Sequence, residues 1–215
     1  MDFGVDEAGK GPVLGPMVAA CVAAPPDALP TGIDDSKRLT PDRRADLAAQ
    51  LRAGPTVRTG VAHVTTDRID DPGTDMNSLT VAAHAAAVRD ATVPEGSTGL
   101  ADAADVDPDR FARRVGEALD GGVTVRAEHR ADESAPLVGA ASVVAKVERD
   151  RAVARIAAEY PDYEVGSGYP SDPTTRAFLR EYVRDHGVLP ACARSSWKTS
   201  DDVLAAAEQS ALDSF

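Results

Sequence analysis

Lysine is almost missing from this chain. Only four of its 23 basic residues are lysines, Lys10, Lys37, Lys146 and Lys198, and the rest are arginine. Aromatic residues make up 4%, and there are two cysteines, Cys21 and Cys192. Two cysteines so far apart form neither a disulfide framework nor a metal cluster, so both are expected to be buried or bystander thiols in a reducing compartment. No apolar run approaches the ~20 residues of a bilayer span. The opening Met1-Asp2-Phe3-Gly4 has no positive stretch ahead of a long apolar one. A membrane association and a signal peptide are therefore not expected, and a cytoplasmic location is.

What is abundant is alanine and acid. The net charge is −12 and the isoelectric point about 4.7. Such acidity normally argues against a polyanionic partner. An acidic, lysine-poor, alanine-rich composition also suits a protein working in molar intracellular salt. There the Debye length is only about 3 Å, so net charge says little about partners and local chemistry must decide. With 215 residues, 43% of them hydrophobic, one sizeable domain with a small appendage is expected.

The pattern reads as α/β. Residues 2–7 and 15–24 are β-rich, joined by a glycine-rich turn. Thr40-Pro41-Asp42 supplies an N-cap, a proline at the first helical position and an acid in the first turn, opening a helix that stops at Gly54-Pro55. Thr56–Val64 reads as a strand, and a helix follows Asn77 to Asp90. Residues 98–104 form a short apolar run ending at Asp102. Asp107-Pro108 starts another helix, and Val123–Val125 is a strand. Pro136–Tyr160 is a long helix, Asp172-Pro173 caps the next, and Ser200-Asp201-Asp202 opens the last. Residues 65–76 and 92–98 read as loops. A strand meander followed by alternating helices and strands predicts an α/β fold with mixed strand directions and a helical C-terminal segment.

One stretch poses a chemical choice: "GVDEAGKG", residues 4–11. Its spacing nearly matches the phosphate-binding Gly-x-x-x-x-Gly-Lys-[Ser/Thr] loop. Three features oppose that reading. Asp6 and Glu7 would face the phosphates, Gly11 supplies no hydroxyl, and Pro12-Val13-Leu14-Gly15-Pro16 leads into a strand rather than a helix. Adjacent carboxylates at a strand end repel each other unless a cation sits between them. Mg²⁺ or Mn²⁺ suits such oxygen ligands. A solvated acidic turn is the plainer alternative.

The company the pair keeps decides between them. "DEAGKGPVLGPMV" resembles the N-terminal signature of the type 2 ribonucleases H (ribonuclease HII), commonly Asp-Glu-Ala-Gly-Arg-Gly. Further blocks follow in the family's order. They are Asp35-Ser36-Lys37 with Leu39, Met76-Asn77, Asp102-Ala103-Ala104-Asp105, and Glu128 to Asp132 leading into Ala140 to Lys146. Gly166-Ser167-Gly168-Tyr169-Pro170-Ser171-Asp172-Pro173 and Ser196-Trp197-Lys198-Thr199 complete the series, which runs from residue 2 to about 199. All four lysines fall inside these blocks, as expected if a compact ammonium is needed there.

The resemblance implies a ribonuclease H-like mixed β-sheet flanked by helices, with residues 1–165 as the catalytic domain and 166–215 as a helical segment aiding substrate binding. It implies a metal-dependent endonuclease that cuts the RNA strand of RNA–DNA hybrids. It also implies incision 5′ of ribonucleotides embedded in duplex DNA, leaving 3′-hydroxyl and 5′-phosphate ends. The matching acids are Asp6, Glu7, Asp102 and Asp132, expected to hold two Mg²⁺ or Mn²⁺ ions during an in-line displacement. Asp102 aligns better than Asp105, which otherwise reads as a turn or cap.

Gly9-Lys10-Gly11 is expected to read the ribose 2′-hydroxyl, since glycines let backbone groups come close; Lys10 replaces the family's usual arginine. Tyr169 is expected to stack on the neighbouring sugar, with core packing the alternative. Lys37, Asn77, Ser142, Lys146 and Lys198 are candidate substrate contacts, and Lys146 could equally pair with an active-site acid. His129 is either a proton shuttle or simply a packed or exposed side chain. His63, His84 and His186 read as structural, and Trp197 as a packing anchor. The chain is expected to be a monomer. The family's sliding-clamp-binding tail is only partly matched by Gln209, Leu212 and Phe215, where an amphipathic last helix is the alternative. A catalytically silent binding module of the same fold is the rival to an active nuclease.

Overall fold

The computed structural model describes residues 1–33, 39–119 and 121–212. Lys37, the Asp35-Ser36-Lys37 block and Phe215 lie outside them. The chain divides into two compact units. One comprises Met1–Ala8, Met17–Val64 and Asp75–Arg149, and the other Gly9–Pro16, Thr65–Thr74 and Asp150–Phe215.

The first unit carries a five-stranded sheet. Its strands are β1 (Phe3–Ala8), β2 (Met17–Ala23), β3 (Arg58–Val64), β4 (Thr98–Asp102) and β5 (Thr124–Glu128), in the order β3-β2-β1-β4-β5. The β1–β2 and β2–β3 pairs are antiparallel, while β4 runs parallel to both β1 and β5. The mixed directions expected from the meander are therefore present. Helix α1 (Pro41–Ala53) starts as its sequence predicts, with Thr40 Oγ1 accepting the Arg43 N–H at 3.3 Å and Pro41 in the first turn. It buries Leu47, Ala48 and Leu51 in a core built with Ala20, Val22 and the alanine- and valine-rich face of a later long helix. Small side chains there let helix and sheet backbones approach closely. The same loop that ends β3 leads to a short helix, α2 (Thr66–Ile69), within a stretch expected to be loop. Four residues are too few to carry a readable period.

Helix α3 (Met76–Asp90) is capped by Asp75, whose carboxylate accepts the N–H groups of Asn77 and Ser78 at 2.9 and 3.0 Å. It packs on β1, β2 and β3 and against α4 (Pro108–Ala118), which Asp107 caps. Helix α5 (Pro136–Glu159) begins over β1. A Cβ on Gly4 would lie 2.3 Å from the Leu137–Val138 backbone, so only glycine admits the helix at this distance.

The second unit has its own core of Val13, Leu14, Ile156, Val165, Phe178, Leu179 and Val183. Edge-to-face rings reinforce it, with Tyr160 and Phe178 centroids 5.3 Å apart. Most of the chain's few aromatics are therefore spent here. Its helices are α2, the end of α5, α6 (Pro173–His186, capped by Asp172) and α7 (Lys198–Leu212). Helix α7 starts two residues before the expected Ser200. The Ser200 hydroxyl is buried and donates to the Arg194 carbonyl at 2.8 Å, so it is not free to cap, and the Trp197 carbonyl accepts the Ser200 N–H instead. Both cysteines are buried, free thiols. Among the described residues no helix is long and apolar enough to cross a membrane.

Candidate active site

Side chains alternate across a strand, so the sequence neighbours Asp6 and Glu7 on β1 face opposite sides of the sheet. Asp6 shares its side with Gly4 and therefore faces α5. It is only 5% exposed, and its Oδ1 accepts the Glu7 N–H at 2.7 Å. The Ser142 hydroxyl on α5 hydrogen-bonds its carboxyl, and Lys146, one turn on, donates to Ser142 Oγ at 2.8 Å. Lys146 thus reaches Asp6 through a serine relay rather than by a direct ion pair. Ser142 is fully buried, its hydroxyl committed between the two.

Glu7 faces α3. There His84 Nε2 sits 2.8 Å from Glu7 Oε2, with the imidazole fully buried and edge-on to Phe111 at a 5.1 Å centroid distance. The sequence reading treated His84 as structural. The available signal was an ionisable residue on the buried alanine- and valine-rich face of α3, where a side chain of that kind requires a partner.

Parallel pairing of β1 with β4 runs to Val5–Ala101. Asp6 and Asp102 follow, one residue on, at the carboxyl ends of adjacent strands, where ligands of open α/β sheets bind. Asp102 Oδ1 accepts the Ala131 N–H at 2.9 Å. That amide is presented by a turn in which Arg130 adopts φ 60°, a left-handed conformation costly for a non-glycine residue. The 3₁₀ turn Ala131–Glu133 that follows carries the buried Asp132.

The acids feel one another. Burial holds the Asp6 carboxyl well above the usual carboxylate range, and the charges of Glu7 and Asp102 add to the effect. Burial likewise raises Asp102, opposed by the Ala131 amide and assisted by Asp132 and Glu7. Asp105 stands apart. Arg110 donates to it through Nε at 3.0 Å and holds it down at about 2. Asp102, unlike Asp105, is coupled electrostatically to the neighbouring acids Asp6, Glu7 and Asp132. Among the described residues no three acid, imidazole or thiol groups are already drawn together as a metal cluster. The donor set, all carboxylate oxygen with buried like charges, fits hard divalent cations, which would relieve the repulsion.

The other expected contact residues fall as follows. Asn77 is exposed in the first turn of α3. Gly9, Lys10, Gly11, Tyr169 and Lys198 belong to the second unit. Gly9 has φ 85° and is buried, whereas Gly11 is exposed. Beyond Lys10 the chain runs without a helix to β2, which removes the nucleotide-binding loop reading. Tyr169 is 45% exposed, so it is not a core residue. Lys198 is paired with Asp202 at 2.7 Å. His129 is exposed. Arg194, which the sequence reading passed over, is fully buried. It donates through Nη2 to the Gly9 carbonyl (2.6 Å), through Nη1 to that of Lys10 (2.9 Å) and through Nε to that of Gly15 (3.0 Å).

A mixed sheet of this order, with acids at the ends of its central strands and in the turn after β5, defines a nuclease of the ribonuclease H-like class. The family model "Ribonuclease HII" matches residues 3–200. A protein named Ribonuclease HII from Halobacterium salinarum is 60% identical over 213 residues, 99% of each chain. The solved ribonuclease H2 from Pyrococcus horikoshii OT3 superposes with TM-score 0.87 at 36% identity, covering 97% of this chain and 99% of that one. The ribonuclease HII in a PCNA complex from Archaeoglobus fulgidus does so with TM-score 0.82 at 40% identity, covering 94% and 96%. The chain belongs to the ribonuclease HII family and is an RNA–DNA hybrid endoribonuclease. The family is metal-dependent. The Halobacterium relative also agrees with the salt-adapted composition.

Proposed function

We propose that Asp6, Glu7, Asp102 and Asp132 are the catalytic carboxylates and hold two Mg²⁺ or Mn²⁺ ions during the reaction. The observation that carries this is Asp6: a carboxyl raised by burial and by two neighbouring acids is a poor structural choice unless a cation is its natural partner. When bound, such ions supply an activated water and neutralise the charge developing on the leaving 3′-oxygen. The chain's own side chains hold the ligands in place. Ser142, backed by Lys146, fixes Asp6; His84 fixes Glu7; the Ala131 amide fixes Asp102.

The substrate scope includes duplex DNA carrying single ribonucleotides, cut on their 5′ side to leave 3′-hydroxyl and 5′-phosphate ends. Gly9, Lys10 and Gly11 read the ribose through backbone groups, and the exposed ring of Tyr169 stacks on the adjoining sugar. Lys37, Asn77 and Lys198 contact phosphates. Ser142 and Lys146 serve Asp6 rather than the substrate. The protein acts as a monomer in a salt-rich cytoplasm. The Archaeoglobus relative was solved with PCNA, and the C-terminal residues Gln209, Leu212 and Phe215 are the segment for an equivalent clamp contact.

The test is a duplex bearing one ribonucleotide, incubated with Mg²⁺ or Mn²⁺ in near-molar KCl. Metal-dependent nicking 5′ of the ribonucleotide is expected. Counterion release contributes little when salt is already molar, so activity should survive salt that stops a basic nuclease. Activity that peaks at low salt and vanishes near molar KCl overturns the salt reading. Intact hybrid cleavage with an untouched single-ribonucleotide duplex restricts the enzyme to hybrids. A folded protein silent on every substrate and metal is the binding module instead.

A further inference from the structure

We propose that Arg194 is a positioning residue for ribose recognition: it draws the Gly9 and Lys10 carbonyls to one side and thereby turns the amide N–H groups of Lys10 and Gly11 to the other, as adjacent donors for an oxygen at the ribonucleotide. This rests on the reading of residues 9–11 as the ribose-contacting segment.

The geometry follows from the planar trans peptide, in which the C=O of one residue and the N–H of the next point in opposite directions. No cis peptide occurs among the described residues. Arg194 Nη2 takes the Gly9 carbonyl and Nη1 the Lys10 carbonyl. Both following amides must therefore point away from the same guanidinium. Successive N–H groups aimed to one side make a concave site for an electron-rich oxygen. Trp197 Nε1 donates to the Gly11 carbonyl at 3.3 Å, which pins a third carbonyl, and residue 12 is proline, so the run of donors ends there.

The arrangement is held from several sides. The guanidinium lies 4.9 Å from the Trp197 ring, its Nε grips the Gly15 carbonyl, and the Arg194 N–H donates to the Val13 carbonyl at 2.8 Å. Charge-assisted bonds also polarise the peptides they engage, which strengthens the N–H groups on the far side. Lysine could not replace this function, because three carbonyls in fixed directions need a rigid fork.

Gly11 adds a separate observation. A Cβ built there meets nothing within 4 Å, and its φ lies outside the left-handed range. Neither packing nor backbone conformation within the protein calls for glycine. The missing side chain instead leaves the donor face flush for a close-lying partner. Gly9, at φ 85°, has a conformational reason to be glycine.

The test compares Arg194→Met, Arg194→Lys and Gly11→Ala. Each is measured for kcat/KM on a DNA duplex with one ribonucleotide, for the inhibition constant of the same duplex made wholly of DNA, and for melting temperature. Arg194→Met is expected to lower kcat/KM about tenfold or more, the effect of losing one oriented hydrogen bond, with the all-DNA inhibition constant within about twofold of wild type. Arg194→Lys, which keeps the charge and stands in if the methionine variant fails to fold, is expected to show the same selective loss. An equal loss on both duplexes in step with the melting temperature would mean a purely structural arginine and overturns the proposal. Gly11→Ala is expected to keep its melting temperature and lose ribonucleotide cleavage. If Gly11→Ala behaves as wild type, the reading of residues 9–11 fails. If it loses cleavage while both Arg194 variants do not, that reading stands and the role of Arg194 falls.

Discussion

His84 Nε2 and Glu7 Oε2 are 2.8 Å apart beneath α3, in a pocket closed to solvent on the imidazole side. An ionised carboxylate only accepts, so Nε2 carries the proton of this bond. The other ring nitrogen, Nδ1, is buried without a hydrogen-bond partner in the structure. The imidazole is thus kept for one contact, at the cost of an unsatisfied atom. Replacing His84 with Phe should retain the packing on Phe111 while freeing Glu7 to rotate. The expected result is a loss of about 10- to 100-fold in metal affinity or activity, the usual consequence of removing a group that orients a metal ligand. His84→Gln, which restores a donor, should recover part of it. Calorimetric titration with Mn²⁺ separates this from a general loss of stability.

Asp6 gives a stability prediction of opposite sign to its effect on catalysis. Its carboxyl is raised in the fold, so the folded protein binds more protons than the unfolded chain. In the absence of metal, stability therefore falls as pH rises from about 4, the unfolded value, through the folded one. Asp6→Asn removes that penalty. It should abolish cleavage, by a factor on the order of 10²–10³ or more, and yet melt higher than wild type in EDTA at neutral pH. For a chain of this size each kcal/mol corresponds to about 2–4 °C. The gap should close in acid and on adding Mg²⁺ or Mn²⁺ to the wild type. Near-normal activity of this variant would remove Asp6 from the reaction.

Asp172 carries the opposite dependence. Its carboxylate accepts the Ser167 N–H and hydroxyl, both at 2.7 Å, and caps α6 through the Thr174 N–H at 2.9 Å. These bonds hold it down at about 2, the Ser167 amide most of all. Its contribution is present above about 4 and is lost as pH falls through about 2. Asp172→Ala should melt a few degrees lower than wild type at neutral pH, and the difference should shrink below about pH 4. A constant difference across the range would show that the ionised form is not what stabilises.

Tyr169 should separate activity from stability. Its ring is 45% exposed, so Tyr169→Ala removes little packing. Loss of one stacking contact is worth about 1–3 kcal/mol, a fall in kcat/KM of roughly 10-fold or more. The melting temperature should stay unchanged. A large drop in melting temperature with intact turnover would return Tyr169 to a packing role.

Strands, caps and most helix boundaries were legible because they rest on local chemistry. Thr40-Pro41, Asp107-Pro108 and Asp172-Pro173 each announce a helix start by cap and proline, and each helix starts there. The strand carrying Asp6 and Glu7 and the run ending in Asp102 were equally plain. Helix α2 was too short to show a period. The early start of α7 was hidden because Ser200 looks like a cap but its hydroxyl is engaged by the Arg194 carbonyl six residues earlier. Arg194 was illegible because its partner Gly9 lies 185 positions away, and His84 signalled only the need for a partner, since Glu7 lies 77 positions away. A spacing rule cannot see a bond closed only by the tertiary fold.

Asp6 and Glu7 share a peptide bond but not a foundation. One is tied to a serine on α5, the other to a histidine on α3. Mechanically they are two separately mounted parts. A substitution in one helix can therefore shift one carboxylate while its sequence neighbour stays fixed.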